Sequence, residues 1–232
     1  MKLKQLFFAL VAMLSCFVLS ANAQNENVAK IGDTEYANLS AAISAATAGQ
    51  TITFIGDVNE SVTVDKNLTI DGANFNYTGT LTAKKNLTVT VQNVNFVNAG
   101  FTKEKSTNGK YTIKNCTFDG AKKTYDYALR IPGANTVTVV DCTVKDYSYG
   151  FMYVSSSLTT HSVKNVTVEN CNYGVRMAST NTTNLVNFVT SNVKYPVQIQ
   201  ANAARTVNMT DCSIYAKDNT EQCDYKEYTN SA

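Results

Sequence analysis

The sequence predicts an all-β solenoid, in which short strands stack into successive turns of one coil. A two-residue slot recurs along the chain, and β-branched residues alternate with Thr and Asn around it. The slot is occupied by Gly72-Ala73, Asn93-Val94, Asn115-Cys116, Asp141-Cys142, Asn170-Cys171, Asn192-Val193 and Asp211-Cys212. Successive slots are 21, 22, 26, 29, 22 and 19 residues apart. A self-similar period of about 20 to 30 residues is typical of solenoids.

The first residue of each slot predicts a corner in the coil. It is always Gly, Asn or Asp, the residues that tolerate a left-handed backbone. Valines alternate before the slot, and the alternation restarts at the apolar residue that completes it, as in Val137-Thr138-Val139 before Asp141-Cys142. A left-handed residue that turns the chain would reset the alternation in this way. Asn side chains stacked at such a corner are expected to hydrogen-bond along the coil axis.

The quoted slots resemble a known family. The resemblance rests on Asn115-Cys116-Thr117-Phe118, Asp141-Cys142-Thr143-Val144 and the segment from Asn165 to Cys171, and on Asn67-Leu68-Thr69-Ile70-Asp71-Gly72 near the start. With these motifs the chain resembles the right-handed parallel β-helix, or pectate-lyase-like, superfamily. The resemblance implies a β-helix of about seven turns over residues 51–216. It is specific for architecture and says little about activity.

Residues 24–50 predict a cap on the first turn. Residues 27–36 are expected to form a hairpin that turns at Gly32-Asp33. A helix over residues 38–48 should follow, with Asn38 as its N-cap and Gly49 as its C-cap. Its apolar side has helical spacing and consists of Leu39, Ala42, Ile43 and Ala46.

The chain begins with a signal that predicts export. Residues 1–23 contain a basic start, an apolar run and the small-residue site Ala21-Asn22-Ala23, so we expect a cleaved signal peptide. The signal resembles those of secreted Bacteroidetes proteins. The predicted location is therefore secreted, periplasmic or cell surface, and no later apolar run could span a membrane. Residues 217–232 are polar and predict a tail or a C-terminal cap.

Charge and cysteine content exclude some partners. The chain has 20 Lys and Arg and 18 Asp and Glu. Removal of Lys2 and Lys4 with the signal leaves 18 of each, a neutral balance that does not indicate nucleic-acid binding. Four cysteines occupy slot positions that Ala or Val fill elsewhere, which favours buried free thiols and leaves an occasional disulfide open. With His161 as the single histidine, no zinc site is expected.

A second alignment predicts an outer face in the later turns. The aligned segments are Tyr127-Ala128-Leu129-Arg130-Ile131, Tyr149-Gly150-Phe151-Met152-Tyr153, Tyr173-Gly174-Val175-Arg176-Met177 and Tyr195-Pro196-Val197-Gln198-Ile199. Alternation predicts inward side chains at the third and fifth positions of each segment. Arg130, Met152, Arg176 and Gln198 then point outward from one sheet.

This face predicts a ligand-binding surface. The candidate ligand-binding residues are Arg130, Arg176, Tyr127, Tyr149, Tyr153 and Lys122. Aromatic rings can stack on sugars, and Arg and Lys can pair with uronate or sulfate groups. The leading interpretation is a non-catalytic module that binds a polysaccharide or a surface protein, with no cofactor.

Two alternatives remain open from the sequence. The family resemblance implies a small polysaccharide lyase or hydrolase, with Arg130 or Arg176 as catalytic candidates and Asp119, Asp126 and Asp146 nearby. Only the lyase alternative would use calcium, which requires several carboxylates. The other alternative is a purely structural spacer or adhesin.

Overall fold

The computed structural model describes residues 27–105, 108–121, 126–133, 136–154, 160–177, 182–199 and 206–217. The predicted signal peptide, the candidate Lys122 and residues 218–232 of the predicted tail lie outside these ranges. The described part is a parallel β-solenoid preceded by a hairpin and one short helix, α1 (Leu39–Ala45). No helix within it is long and apolar enough to cross a membrane.

The strands are short at the start of the chain and long in its later turns. In chain order they are β1 (Ala29–Ile31), β2 (Thr34–Tyr36), β3 (Thr51–Phe54), β4 (Val58–Asn59), β5 (Val62–Val64), β6 (Leu68–Asp71), β7 (Asn76–Thr78), β8 (Thr80–Ala83), β9 (Thr88–Gln92), β10 (Asn95–Val97), β11 (Gly100–Lys103), β12 (Lys110–Lys114), β13 (Thr117–Asp119), β14 (Tyr127–Pro132), β15 (Thr136–Lys145), β16 (Tyr149–Val154), β17 (Thr160–Glu169), β18 (Tyr173–Met177), β19 (Thr182–Val193), β20 (Tyr195–Ile199), β21 (Thr206–Thr210) and β22 (Ser213–Ala216).

Each turn contributes strands to three walls. The first wall contains β3, β6, β9, β12 and β21, and the second contains β4, β7, β10, β13 and β22. The long strands β15, β17 and β19 pass through both of these walls. The third wall is a seven-stranded parallel sheet of β5, β8, β11, β14, β16, β18 and β20. One third-wall strand per turn agrees with the prediction of about seven turns.

The core consists of apolar columns that run along the solenoid axis. One column of fully buried side chains in the first wall is Ile52, Ile70, Val91, Ile113, Val139, Val163 and Leu185. The second wall adds an aromatic column in which the Phe96 and Phe118 rings stack 4.5 Å apart. Burial of each such side chain stabilises the fold by about 1.5–3 kcal/mol. The pattern arises because alternate side chains of every strand face the interior.

The hairpin and helix cover the first turn. β1 pairs antiparallel with β2 and with β3, so the hairpin extends the first wall. Asn38 is the N-cap of α1, and its side chain accepts a 2.7 Å hydrogen bond from the Ala41 amide. Lys66 Nζ donates to the carbonyl oxygens of Ile43 at 3.0 Å and Ala46 at 3.2 Å, which satisfies the helix end.

The helix is shorter than the predicted residues 38–48. It ends at Ala45, and Ala46 is its C-cap in an extended conformation. The prediction of Gly49 as the C-cap is therefore wrong. Gly49 does have a positive φ of 89°, but it lies in the turn that leads to β3, where its amide donates to the Asn67 carbonyl at 2.7 Å.

The left-handed corners form two separate ladders. The corner between the first and second walls contains residues with φ from 47° to 55°, namely Asn93, Asn115, Asp141, Asn165, Asn187 and Asp211. The corner after the second wall contains Asn98, Asp146, Asn170 and Asn192, with φ from 47° to 64°. The predicted slot merged the two ladders. Asn170-Cys171 and Asn192-Val193 belong to the second corner, and the structure places Asn165 and Asn187 at the first.

Gly72 departs from the predicted corner for a steric reason. It has no positive φ, and the left-handed residues there are Ala73 and Asn74, with φ of 47° and 66°. A Cβ on Gly72 would lie 2.5 Å from the carbonyl oxygen of Asn93 in the next turn. Glycine is therefore required for close packing between turns and not for a left-handed backbone.

The predicted Asn hydrogen bonds along the axis are confirmed. At the first corner the Asn115 amide group donates to Asn93 Oδ1 at 2.7 Å, and Asn165 donates to Asp141 Oδ1 at 2.8 Å. At the second corner Asn192 donates to Asn170 Oδ1 at 2.7 Å. Each bond links one turn to the next, so the ladders align the turns.

The described cysteines are free, as predicted. Cys116, Cys142 and Cys171 are buried, and Cys212 is partly exposed. The Cys116 thiol donates to the Lys114 carbonyl at 3.3 Å, and burial raises the pKa of this thiol. These residues act as small apolar core residues. Cys223 lies outside the described residues.

Candidate functional site

A column of tyrosines runs along one edge of the third wall. Tyr127, Tyr149, Tyr173 and Tyr195 occupy the same register position in β14, β16, β18 and β20. The next residue is small or cyclic, because the turns are close there. A Cβ on Gly174 would lie 2.3 Å from the Pro196 carbonyl oxygen. This tyrosine column is therefore built on a tightly packed corner.

The tyrosine rings stack on one another. The centroids of Tyr149 and Tyr173 are 4.7 Å apart with an interplanar angle of 8°, and those of Tyr173 and Tyr195 are 5.0 Å apart with an angle of 21°. Both faces of Tyr173 are thus covered by its neighbours. The stack offers ring edges and phenol hydroxyls to a ligand, and its inner rings are not free to stack on a sugar.

A second column lies three residues further along the same strands. Arg130, Met152, Arg176 and Gln198 are in register and half-buried on the outer side of the third wall. Two strand spacings separate Arg130 from Arg176, about 9.5 Å. We call the four residues the arginine column.

The tyrosine column holds Arg176 in place. Arg176 Cζ lies 5.3 Å from the Tyr149 ring centroid and 5.7 Å from that of Tyr173. Because these rings are nearly parallel and 4.7 Å apart, a guanidinium almost equidistant from both lies alongside the stack and not between the rings. Arg176 Nη1 also donates to the Tyr149 hydroxyl at 3.3 Å. The side chain is thereby positioned before any ligand binds.

Neither arginine has an anionic partner among the described residues. The ion pairs recorded there are Lys66 with Asp65 and Lys145 with Asp119. Arg130 Cζ lies 5.9 Å from the Tyr127 ring centroid, a contact that leaves its charge uncompensated. The arginine column therefore presents two positive charges at a defined separation.

Two polar atoms of the arginine column also lack hydrogen-bond partners among the described residues. Arg176 Nε and Gln198 Oε1 are buried and have no hydrogen-bond partner among the described residues. The two residues are on adjacent strands, in direct register. One atom is a donor and the other an acceptor, and a buried polar group without a partner costs about 1–3 kcal/mol.

A family described as "Right handed beta helix region" matches residues 99–223, which is more than half of the chain. The chain belongs to the right-handed β-helix family. A comparison with curated proteins finds no match.

As in other solenoids, the right-handed β-helix is a scaffold, and its activity depends on the side chains of its outer walls. In this β-helix the predicted site residues Tyr127, Tyr149, Arg130 and Arg176 come together on the third wall. Lys122 lies outside the described residues. Sequence reasoning did not include Tyr173, Tyr195 and Gln198 in the site, although the aligned segments contained them. The aligned first and fourth positions were the signal that could have found them.

Tyr153 is wrong as a ligand-binding residue. Its side chain is fully buried and stacks on His161 with centroids 4.2 Å apart. Tyr153 follows Phe151 by two residues in β16, so both face the interior of the β-helix, as the alternation predicted. Desolvation raises the pKa of Tyr153 well above its usual value. The nearby Tyr147 is also buried and donates to the Ala99 carbonyl at 2.6 Å.

Two of the nearby acidic residues, Asp119 and Asp146, have structural roles. Asp119 pairs with Lys145 at 2.8 Å, and this hydrogen bond lowers the pKa of Asp119. Asp146 is a corner residue with a φ of 64°. Within the described ranges no group of three or more His, Cys, Asp or Glu side chains could hold a metal ion.

Proposed function

We propose that this β-helix is a secreted or surface-exposed, non-catalytic module that binds an anionic glycan through its arginine column. The supporting observation is the pair of arginines that have no carboxylate partner among the described residues. Arg binds carboxylate and sulfate groups through two parallel hydrogen bonds. A surface protein with acidic side chains is the other ligand that this charge pattern fits.

Preorganisation supports binding at Arg176. The Tyr149 hydroxyl and the two stacked rings restrict the guanidinium, so less side-chain entropy is lost when an anion binds. Arg130, two strands away, would engage a second anionic group about 9.5 Å along the axis. A polymer with regularly spaced anionic groups fits this arrangement when it lies parallel to the β-helix axis.

The ligand would contact the tyrosine column through polar groups. Because the rings of Tyr149, Tyr173 and Tyr195 cover one another, sugar hydroxyls would meet phenol hydroxyls and ring edges. This differs from the face-on sugar stacking expected from the sequence. Between the arginines, Met152 offers an apolar contact and no acid or base.

The test is affinity electrophoresis of the chain from Gln24 to Ala232 in gels that contain uronate, sulfated or neutral polysaccharides. We expect retardation by an anionic polysaccharide and at least a tenfold weaker affinity for Arg176→Ala, since a hydrogen bond to a charged group contributes about 1.5–3 kcal/mol. Arg176→Lys should lose part of the affinity, because lysine keeps the charge without the planar fork. Lys164→Ala removes an exposed charge from the first wall and should bind normally.

The same assay separates the other functions. Unsaturated products or new reducing ends, formed with or without calcium and lost in Arg130→Ala or Arg176→Ala, would make the protein an enzyme and refute the proposal. Retention of Arg176→Ala equal to that of the parent would place binding elsewhere. If no polysaccharide is retained and no acidic surface protein binds, the spacer interpretation replaces the binding module.

A further inference from the structure

Gln198 lies beside Arg176 on the outer side of the third wall. The two residues are in direct register on β20 and β18, so their Cα atoms are one strand spacing apart, about 4.8 Å. Both side chains are half-buried. Among the described residues β20 is the last strand of this wall, so Gln198 is the terminal residue of the arginine column there.

Arg176 has one edge of its guanidinium available to a ligand. Its Nη1 donates to the Tyr149 hydroxyl at 3.3 Å, and no other hydrogen bond of this side chain is formed within the described part of the chain. Because the guanidinium is planar, the edge formed by Nε and Nη2 faces away from Nη1. Tyr149 is on β16 and Gln198 is on β20, on opposite sides of β18. The Nε–Nη2 edge is therefore on the side of Arg176 that faces Gln198.

Two atoms on this side have complementary hydrogen-bonding roles. Arg176 Nε is a donor and Gln198 Oε1 is an acceptor, and both are buried without a hydrogen-bond partner among the described residues. They therefore do not bond to each other. Since buried polar groups in proteins are nearly always hydrogen-bonded, the two atoms indicate an incomplete site. A ligand that offers an acceptor to Nε and a donor to Oε1 would complete it.

Gln198 can adjust to such a ligand more easily than Arg176 can. The torsion that turns the terminal amide of a glutamine has a broad energy minimum, and Gln198 is half-exposed on the last described strand of its wall. Arg176 is held by the Tyr149 hydroxyl and by contacts with the Tyr149 and Tyr173 rings. The site thus combines a fixed donor edge with an acceptor that can rotate.

We propose that Gln198 is a specificity-determining residue of the arginine column. Its Oε1 accepts a hydrogen bond from a ligand hydroxyl next to the anionic group that the Nε–Nη2 edge of Arg176 binds. This inference rests on the proposed function. A uronate or a sulfated sugar carries a hydroxyl a few bonds from its anionic group, whereas an Asp or Glu side chain has no donor of its own beside its carboxylate. The site therefore selects an acidic sugar with free hydroxyls over an acidic surface protein.

The test compares three anionic probes by isothermal titration calorimetry with the chain from Gln24 to Ala232. Oligogalacturonate and a heparin-derived oligosaccharide have free hydroxyls, and polyacrylate has carboxylates but no hydrogen-bond donor. Gln198→Met keeps the length of the side chain and removes Oε1, so it should weaken the binding of a sugar probe about threefold to tenfold and leave that of polyacrylate unchanged. Thr82→Val, four strands from Arg176 in the same outward column, is the control and should bind like the parent.

The stability of the free protein separates this role from a structural one. If Oε1 has no partner, Gln198→Met should leave the melting temperature unchanged or raise it, because a buried acceptor without a hydrogen bond is removed. A less stable variant that binds every probe like the parent would show that Gln198 bonds to Arg176 in solution, and it would overturn the proposal. An equal loss of affinity for all three probes would also overturn it.

Arg176→Ala separates the failure of this inference from the failure of the proposed function. If Arg176→Ala weakens binding but Gln198→Met does not, the arginine column binds anions and the role assigned to Gln198 is wrong. The same conclusion follows if the parent binds polyacrylate and neither sugar probe. If the parent binds none of the probes, or if Arg176→Ala binds as tightly as the parent, the proposed function fails and this inference fails with it.

Discussion

His161 should make the stability of this β-helix sensitive to mild acid. The side chain is fully buried, stacks on Tyr153, and lies between Val137 and Thr183 of the adjacent turns. Burial lowers the pKa of His161 to about 4, because the interior disfavours the charged imidazolium. Since the chain has a single histidine, no other imidazole titrates in the same range.

Acid should destabilise the protein, because the pKa of His161 is lower in the folded state than in the unfolded chain. The folded state keeps His161 neutral, and the unfolded chain binds a proton near the usual pKa of 6.5. The stability that depends on neutral His161 is therefore fully present well above pH 6.5 and falls as the pH drops toward 4. At pH 5 the unfolded state gains a factor of (1 + 10^1.5)/(1 + 10^−1), about 30, relative to the folded state. This factor equals about 2 kcal/mol, since each factor of ten is 1.36 kcal/mol.

The assay is denaturant unfolding of the parent and of His161→Phe between pH 8 and pH 5. Phenylalanine keeps a planar ring against Tyr153 and cannot bind a proton. We expect the parent to lose about 2 kcal/mol more than the variant over this range, or roughly 4–8 °C in melting temperature. Parallel pH profiles of the two proteins would refute the reasoning. So would an NMR titration of the folded parent in which the single histidine titrates near pH 6.5.

Two further predictions concern the backbone between turns. Asn170→Val should lower the free energy of unfolding by about 2 kcal/mol, because it places a β-branched residue at a φ of 53° and removes the acceptor of the Asn192 hydrogen bond. Asn170→Gly removes the same acceptor without backbone strain and should lower it by less in equilibrium unfolding. Equal losses in the two variants would argue against strain at this corner. Gly174→Ala should destabilise the protein by about 2 kcal/mol or more, since the new Cβ would lie 2.3 Å from the Pro196 carbonyl oxygen. Gly56→Ala is the control, because the nearest atom there is 3.8 Å from the new Cβ, and it should change the melting temperature little. Similar melting temperatures for both alanine variants would show that the turns can separate at the tyrosine column.

The fold could be predicted from the sequence because the patterns that specify it are local and recur in every turn. Alternating Val and Ile mark the inner side of each strand, and a left-handed Asn such as Asn115 marks each corner. The repeat could not show that there are two corners. Both ladders recur once per turn and use the same residue types, so Asn170 of the second corner was placed in line with Asp141 of the first. Strand register, which depends on pairing between turns, separates them.

The candidate site was predictable only in part. The alternation of side chains in each strand placed Arg130 and Arg176 on the outer side of one wall. The same alternation places Tyr153 on the inner side, so its selection as a ligand-binding residue was inconsistent with the strand pattern. Nothing in the order of residues shows that the rings of Tyr149 and Tyr173 cover each other. That contact depends on the short distance between turns, which Gly150 and Gly174 beside the column permit because they have no Cβ.

By itself, the sequence determined that this chain forms a β-solenoid with apolar columns inside and Asn ladders at its corners, because side-chain alternation and tolerance of a left-handed backbone are properties of single residues. Only the tertiary structure decided which corner each Asn occupies, which tyrosine rings cover one another, and that Arg130 and Arg176 have no ion-pair partner among the described residues. These are relations between residues about 20 or more positions apart. They depend on how the turns stack, which local patterns do not encode.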